Sequence, residues 1–406
     1  MVIKNNRSKT IIFTLMTLTI IIIVLIVAGE IVARKIYGDG MLSMIDPQVH
    51  HTPRPYINIE RTWGTGKTSH YITNSLGWRD KIPDNKIEKI NKTQKRIVFI
   101  GDSFTEGMGF NQKDTISGVA ETLLLKENIN VEALNGGTAS YSPLVEYTRI
   151  RQFIKDGYKT DIIVLLPDLA DVHDEVWYRS FFKFDDKGEP IEIDHIMYKP
   201  VVNFILNNST LARIIKKDAY NKFKDWYLEF FAKDNIKKSS LEELEAKQGI
   251  VNRSTAKNEP KIISVNDLLG ASPSQSTWIR CNYWRHQPSI NGWVKEITPF
   301  MLSNVKRIKK ICDENNIKLV VVIYPWTFHF TATEPTLNIY ENTFVSFCKD
   351  NNIKLINLIP IFRAVGGSNW QDLYIKGDIH FTENGNKLAG TTIGKELISE
   401  VRKITK

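Results

Sequence analysis

The sequence predicts an α/β protein with a mostly parallel sheet, a large insertion and an N-terminal transmembrane helix. Three observations carry this. Short runs of β-branched and aromatic residues alternate with helical stretches over 97–166 and again over 299–403, the rhythm of β-α-β units. Residues 181–292 break that rhythm, and its return afterwards makes the two halves one discontinuous domain. Ile11 to Gly29 carries no charge over nineteen residues, where a bilayer span needs about 20.

Taken in order, the chain begins with Lys4, Arg7 and Lys9 ahead of that apolar run, and Glu30, Arg34 and Lys35 behind it. The positive-inside bias therefore puts residues 1–10 in the cytoplasm, the anchor at 11–32, and everything beyond about residue 33 outside. A cleaved signal peptide is the competing reading, with Val27-Ala28-Gly29 as a weak cleavage site. Its apolar core would run to only about 7–15 residues, so an uncleaved signal anchor is expected. Residues 33–90 carry Pro53, Pro55 and Pro83 and little periodicity, which predicts an extended segment laid across the domain. Within it Gly64-Thr-Gly-Lys-Thr68 looks like a phosphate loop, but Arg61 stands where the first glycine is needed and no apolar strand precedes it.

The first half of the domain, 91–180, is expected to hold strands at Ile97–Ile100, Val131–Leu134 and Ile162–Leu166, with helices around 114–127 and Leu144–Lys155. The insertion, 181–292, holds an amphipathic helix from Leu211 to Lys233, a polar tract from Ile236 to Lys261 and a Ser-rich stretch, and carries no motif. It shapes a binding cleft, or it packs on a partner or the membrane surface. The second half, 293–406, predicts a helix from Pro299 to Asn315, a strand Lys318–Ile323, a helix around 339–350, a strand Lys354–Leu358 and a helix from Glu383 to about Lys403.

With 406 residues, 42% apolar and 24% charged, the chain can bury a large core in more than one unit. Its net charge of +9 is spread without a basic, aromatic platform, which suits an envelope protein near anionic glycans or lipid headgroups and excludes nucleic acid as a partner. The three cysteines, Cys281, Cys312 and Cys348, show no metal spacing, and Cys312 and Cys348 fall on the inner pattern of predicted helices as apolar filler. No histidine pair has the i, i+4 spacing of a helical zinc site. His173 reads as a surface-loop residue beside a candidate substrate loop, and His286 and His329 follow aromatic residues without a motif. No cofactor and no metal are expected.

Chemistry is suggested at two places. The strand ending at Ile100 stops at Gly101-Asp102-Ser103, where open α/β sheets put their ligands, although the same three residue types also favour an ordinary turn. Near the other end, Asp378 stands two residues before His380, on the same side of an extended loop. The carboxylate could fix the imidazole tautomer and leave the other ring nitrogen free as a base for the Ser103 hydroxyl.

An early Gly-Asp-Ser, with a late Asp-x-His followed by Phe381 and Gly385-Asn386, resembles the SGNH (GDSL-type) hydrolase superfamily, in its membrane-anchored bacterial branch. The resemblance covers roughly 91–180 and 293–406. Further blocks fit it: Thr73-Asn-Ser-Leu-Gly-Trp-Arg-Asp80, Asn135-Gly-Gly-Thr-Ala-Ser-Tyr-Ser142, and Tyr324-Pro-Trp326. It implies a flavodoxin-like three-layer α/β/α sandwich with Ser103, Asp378 and His380 as the catalytic residues. It also implies an oxyanion hole from the N–H of the serine, the N–H of a second-block glycine and a third-block asparagine. Ser140 stands at the glycine position, and after Leu166 the chain reads Pro167-Asp-Leu-Ala-Asp171 without any asparagine. Asp168 and Asp171 are then the candidates for substrate contact, either as acceptors or as a protonated donor.

The expectation is a membrane-anchored, extracytoplasmic serine esterase acting on ester-linked acyl groups of envelope carbohydrate or lipid. The resemblance equally allows a polysaccharide O-acetyltransferase served by a membrane-bound O-acyltransferase partner. A third reading, supported by the missing asparagine, is a non-catalytic envelope assembly protein.

Overall fold

The computed structural model describes residues 3–37, 42–62, 68–194, 198–216, 293–331, 339–376 and 378–404. Two compact units divide the chain, one of 1–47 with 195–239 and the other of 48–194 with 240–406.

The larger unit is built on five strands: β1 (Lys95–Gly101), β2 (Val131–Asn135), β3 (Ile162–Leu166), β4 (Lys318–Ile323) and β5 (Lys354–Asn357). They pair in the order β5-β4-β3-β1-β2, and every pairing is parallel. This is the flavodoxin-like order, with its topological switch point between β1 and β3. Ile162 to Leu166 is buried at every position, because a parallel strand covered on both faces has no solvent side and so reads as an unbroken apolar run.

Five helices flank the sheet: α1 (Ile116–Lys126), α2 (Pro143–Lys155), α3 (Trp293–Glu314), α4 (Ile339–Asp350) and α5 (Glu383–Ile404). The chain moves one way across the sheet from β1 to β2 and the other way from β2 onward. Right-handed crossovers therefore put α1 on one face and α2, α3 and α4 on the other. In keeping with this, α1 packs against α5 while α2 packs against α3. Cys312 and Cys348 are free thiols in the core, where burial pushes both up to about 12. Cys281 lies outside the described residues.

Three local expectations change. The segment before the sheet is not simply extended: Asn58–Thr62 pairs antiparallel with Thr68–Ile72. The helical rhythm also does not stop at Leu166. A helix spans Asp171–Arg179 and a hairpin follows at Phe182–Phe184 and Pro190–Ile193. The acidic run Asp171 to Glu175 looks like a loop in sequence, yet Asp171 and Asp174 fall in a first helical turn, where negative charge is favoured. Of the amphipathic helix expected over Leu211–Lys233, residues 211–216 are described and helical, while the rest, with the polar tract, lies outside the described residues. So does the phosphate-loop-like stretch before Thr68.

The smaller unit begins with a helix over Ile3–Tyr37, whose Lys9–Ile36 stretch is long and apolar enough to cross a membrane or to act as a signal sequence. A second helix of this unit spans Pro200–Asn208.

Candidate active site

Gly101 and Leu166 leave β1 and β3 as register partners, so the two following loops open side by side at the switch point. Gly101 is required by close approach: a Cβ there would lie 2.2 Å from Thr105 Oγ1. Asp102 then caps a one-turn helix, Ser103–Glu106, its carboxylate accepting from the Phe104 N–H at 2.9 Å. The cap sets Ser103 at the first helical position, half-buried, with its Oγ 2.7 Å from His380 Nε2. A second acceptor, Asp102 Oδ2, is at 3.4 Å, so the hydroxyl hydrogen points to the imidazole.

His380 arrives on a tight loop. Tyr374 and Phe381 pair antiparallel, and backbone bonds Asp378 N–H to Ile375 O and Ile375 N–H to His380 O close the loop at 2.9 Å each. Asp378 Oδ1 accepts from His380 Nδ1 at 2.7 Å and from the Ile379 N–H at 2.6 Å. That His380 hydrogen bond, more than anything else, holds the Asp378 carboxyl down at about 2. The ring is braced by Phe104, 4.8 Å away centroid to centroid, which itself packs against Tyr324 and Phe381. A hydroxyl, an imidazole and a carboxylate are thus chained in the order that lets the imidazole take the hydroxyl proton while the carboxylate faces the resulting cation.

The Asn135–Ser142 block forms the opposite lip. Gly137 passes so close to the one-turn helix that a Cβ would fall 2.3 Å from Glu106 N. Thr138 N–H donates to Gly101 O at 3.0 Å and Ala139 N–H to Glu106 Oε2 at 2.7 Å. His51 Nε2 meets the Ala139 carbonyl at 3.1 Å. Ser140 adopts φ 64°, the left-handed conformation in which glycine is at home. Among the described residues, the N–H groups of Ser103 and Ser140 donate to no protein acceptor.

Asp168 and Asp171 are placed differently from a pair of substrate donors. Asp168 is fully buried, its Oδ1 accepting from the Ala170 N–H at 2.5 Å and its Oδ2 from Tyr324 OH at 3.0 Å and Trp326 Nε1 at 3.1 Å. Asp171 Oδ2 accepts from the Asp168 N–H at 2.7 Å. Both oxygens of Asp168 are acceptors for the protein's own groups, so it is not presented as a donor to an oxyanion, whereas Asp171 is committed in this way through Oδ2. They belong to a buried acid cluster with Asp102, Glu146 and Glu175. Burial, then the neighbouring carboxyl charges, push Asp102, Glu146 and Asp171 well up, and burial takes Glu175 to about 7. Among the described residues, both carboxyl oxygens of Glu146 and Oδ1 of Asp171 find no hydrogen-bond partner. Tyr324 OH also lies 3.2 Å from Asp102 Oδ1. One phenolic hydrogen cannot serve two carboxylates, so the Asp102–Tyr324–Asp168 bridge is complete only when the pair holds a proton.

Sequence reasoning picked out the Thr73–Asp80 and Tyr324–Trp326 blocks without giving them work to do. Arg79 is buried beneath the nucleophile turn and donates to Phe110 O at 2.6 Å and to Glu106 O and Gly107 O at 3.3 Å. Its guanidinium lies 4.3 Å over the Tyr71 ring, and Tyr71 OH donates to Glu106 Oε1 at 2.5 Å. Glu106 thus ties Arg79 and Tyr71 to the second block through Ala139. The only sequence signal for these roles was an arginine beside Trp78 in the Thr73–Asp80 block. Of the other histidines, His329 is buried behind Trp326 and burial takes it to about 3, so it is neutral. The His173 side chain and all of His286 lie outside the described residues. Among the described residues, no group of three or more His, Cys, Asp or Glu side chains is placed to hold a metal ion.

No protein-family model matches the chain, and no curated relative matches it by sequence. Among solved structures it is similar to a lipase/acylhydrolase from Enterococcus faecalis at 11% identity, over 76% of this chain and 97% of that one, with a TM-score of 0.37. It is similar to the psychrotrophic esterase EstA from Pseudoalteromonas sp. at 9% identity, over 76% and 100%, with a TM-score of 0.37. A variant of an acetyl xylan esterase from Geobacillus stearothermophilus matches at 9% identity, over 76% and 97%, with a TM-score of 0.38. Likeness at this level decides nothing about activity. The site stands on its own geometry: Gly-Asp-Ser and Asp-x-His blocks joined at the switch point of a flavodoxin-like α/β/α unit.

Proposed function

We propose that the chain is a serine esterase of SGNH type. The observation that carries this reading is the unbroken chain Ser103 Oγ to His380 Nε2 to Asp378 Oδ1, each link 2.7 Å, at a sheet edge built to receive a ligand. Ser103 Oγ attacks an ester carbonyl as His380 takes its proton, and the C–O bond to the alcohol breaks as His380 returns that proton to the leaving oxygen. Water, deprotonated by the same nitrogen, then frees the acid and restores Ser103. The backbone N–H groups of Ser103 and Ser140 are the available oxyanion donors. With no third-block side chain to add, turnover is about 10²–10³ below that of a site with one more donor.

The substrate class that fits is an acyl ester on envelope carbohydrate or lipid, met outside the cytoplasm by a domain tethered through the N-terminal helix. This placement is supported by the uncharged run Ile11–Gly29 with basic residues ahead of it. The experiment is labelling with a fluorophosphonate together with hydrolysis of a short acyl ester. Wild type should label and turn over, and Ser103→Ala should do neither. A wild type that never labels and hydrolyses no ester refutes the esterase and leaves the assembly role. Transfer of the acyl group to an added oligosaccharide in preference to water would identify the O-acetyltransferase and its need for an acyl-supplying membrane partner.

A further inference from the structure

The helix Pro200–Asn208 is amphipathic the wrong way round for a helix facing water. Val201, Phe204 and Ile205, at the i, i+3, i+4 spacing of one face, are 71%, 68% and 47% exposed. The opposite face buries Leu206 and Asn207 and spends its amides on backbone: Asn207 Nδ2 and Asn203 Nδ2 donate to Ile45 O at 2.8 and 3.2 Å, and Ile45 N–H donates to Asn207 Oδ1 at 2.9 Å. With one leucine and two asparagines turned inward and three large apolar side chains turned outward, the helix has the pattern of a surface whose surroundings are themselves apolar.

The location of this stripe says what those surroundings are. The helix is fixed to the N-terminal helix at the point where its uncharged run ends. Arg34 Nη2 donates to Asn208 O at 2.7 Å, closing the helix C-terminus. Glu30 accepts from Ser209 Oγ, Thr210 N–H and Leu211 N–H at 2.8, 2.9 and 3.0 Å, capping the helical residues 210–216. Leu211 packs on Gly29, where a Cβ would lie 3.0 Å from it. At 1.5 Å per residue, the run Ile11–Gly29 spans about 28 Å, close to the roughly 30 Å of a hydrocarbon core. Glu30 and Arg34 then fall at the headgroup level. Ile31, Val32 and Ile36 of the first helix and Ile215 of the second segment are exposed as well, so the apolar surface continues across both. Lys35 and Lys216, both exposed, complement anionic headgroups.

We propose that Pro200–Asn208, with the turns that follow it, is an interfacial membrane helix: it lies on the outer headgroup region beside the span, with Val201, Phe204, Ile205 and Ile215 in the acyl boundary. The Glu30–Arg34 pair is the joint that holds it there. The span and this helix together form a two-point mount, which restricts rotation of the chain about the membrane normal as a single span does not.

The test uses the full chain with its N-terminal helix, reconstituted in vesicles of phosphatidylcholine and phosphatidylglycerol, with Cys281→Ser removing one native thiol. A nitrobenzoxadiazole label is placed at Phe204→Cys, at Val201→Cys in a second variant, and at Lys183→Cys as a water-exposed control in the sheet unit. Labels at 204 and 201 should emit to the blue of the control and be quenched severalfold more by lipids carrying a nitroxide near the headgroup. Labels at both positions that match the control, in protein that stays with the vesicles through a high-salt wash, overturn the proposal and leave the anchor intact. Protection that arises only when a second membrane protein is added overturns it in favour of a protein partner. The proposal rests on the N-terminal helix remaining as an anchor, so recovery of a shortened, soluble chain overturns both.

Discussion

Tyr324→Phe probes the bridge behind the nucleophile. Tyr324 is 1% exposed, and its hydroxyl lies 3.2 Å from Asp102 Oδ1 and 3.0 Å from Asp168 Oδ2. Each carboxyl keeps other donors, Phe104 N–H on Asp102 and Trp326 Nε1 with Ala170 N–H on Asp168, so the loss is one hydrogen bond and an oxygen-sized gap. A hydrogen bond between neutral partners contributes about 1 kcal/mol, and one to a charged group about 1.5–3 kcal/mol. At low pH both carboxyls are protonated and the lower figure applies. As pH rises and the pair loses protons, the phenol becomes the donor to an anion and the cost climbs to about 2–3 kcal/mol. For a domain of this size that is a fall in melting temperature of roughly 2–4 °C per kcal/mol. Tyr374→Phe is the control, because its hydroxyl donates to the neutral carbonyl of Pro325 at 2.7 Å and its cost should be flat in pH. Denaturant unfolding followed across the whole pH range in which the fold persists decides. If Tyr324→Phe costs nothing, or its cost is as flat in pH as that of Tyr374→Phe, the shared-proton bridge is wrong.

Other outcomes follow from the same site. In the ester assay, His380→Ala should lose nearly as much rate as Ser103→Ala because the two act as a unit, and Asp378→Asn should lose less, about 10²–10⁴. The proposal fails there if His380→Ala keeps wild-type turnover. Ser140→Gly should leave the fold as stable or raise it by about 0.5–1 kcal/mol, since glycine meets φ 64° without strain, whereas Ser140→Val should lose stability; thermal melts rank the three. Glu106→Gln should lower stability by roughly 1–3 kcal/mol, because the carboxylate accepts from both Tyr71 OH and Ala139 N–H and an amide offers only one oxygen to the two donors, and an unchanged melt would refute that arrangement. Two pH limbs should bound stability. Asp378 has its pKa lowered to about 2, so its contribution is present above the usual carboxylate range and is lost as pH falls towards 2. Glu175 is raised to about 7, so its contribution is complete below the usual range near 4 and is lost as pH rises through 7. Glu175→Gln should reduce the part of the alkaline limb centred near pH 7, leave the part carried by Asp102, Glu146 and Asp171, and not touch the acid limb, read from melts across the pH range.

What the sequence determined by itself is what local pattern encodes. Strands Ile162–Leu166 and Lys318–Ile323 were legible because a parallel strand buried on both faces has to be apolar throughout. The helix over 339–350 was legible through its amphipathic spacing, and the anchor-length run Ile11–Gly29 through its lack of charge. Ser103, Asp378 and His380 could be named because a nucleophile at a strand end and an i, i+2 Asp-His pair are local signatures. Only the tertiary structure decided what depends on residues far apart in the chain. The 2.7 Å from Ser103 to His380, across 277 positions, follows from the return of the chain from the β5 edge of the sheet to α5, which packs on α1 and carries the loop before it back towards β1. Asp168 looked like a substrate group because it stands in the block after β3 where the resemblance calls for an asparagine, and only the arrival of Tyr324 and Trp326 from β4 makes it a buried acceptor. Arg79 is named in sequence only as part of the Thr73–Asp80 block, and its role appears where the fold closes the carbonyls of Glu106, Gly107 and Phe110 around it. The outward stripe of Val201, Phe204 and Ile205 carries the same lesson: the periodicity shows a helix with an apolar face, but which way that face points is set by what Asn203, Asn207, Glu30 and Arg34 bind. Hydrogen-bond partners of buried polar groups are non-local, and no window of sequence contains them.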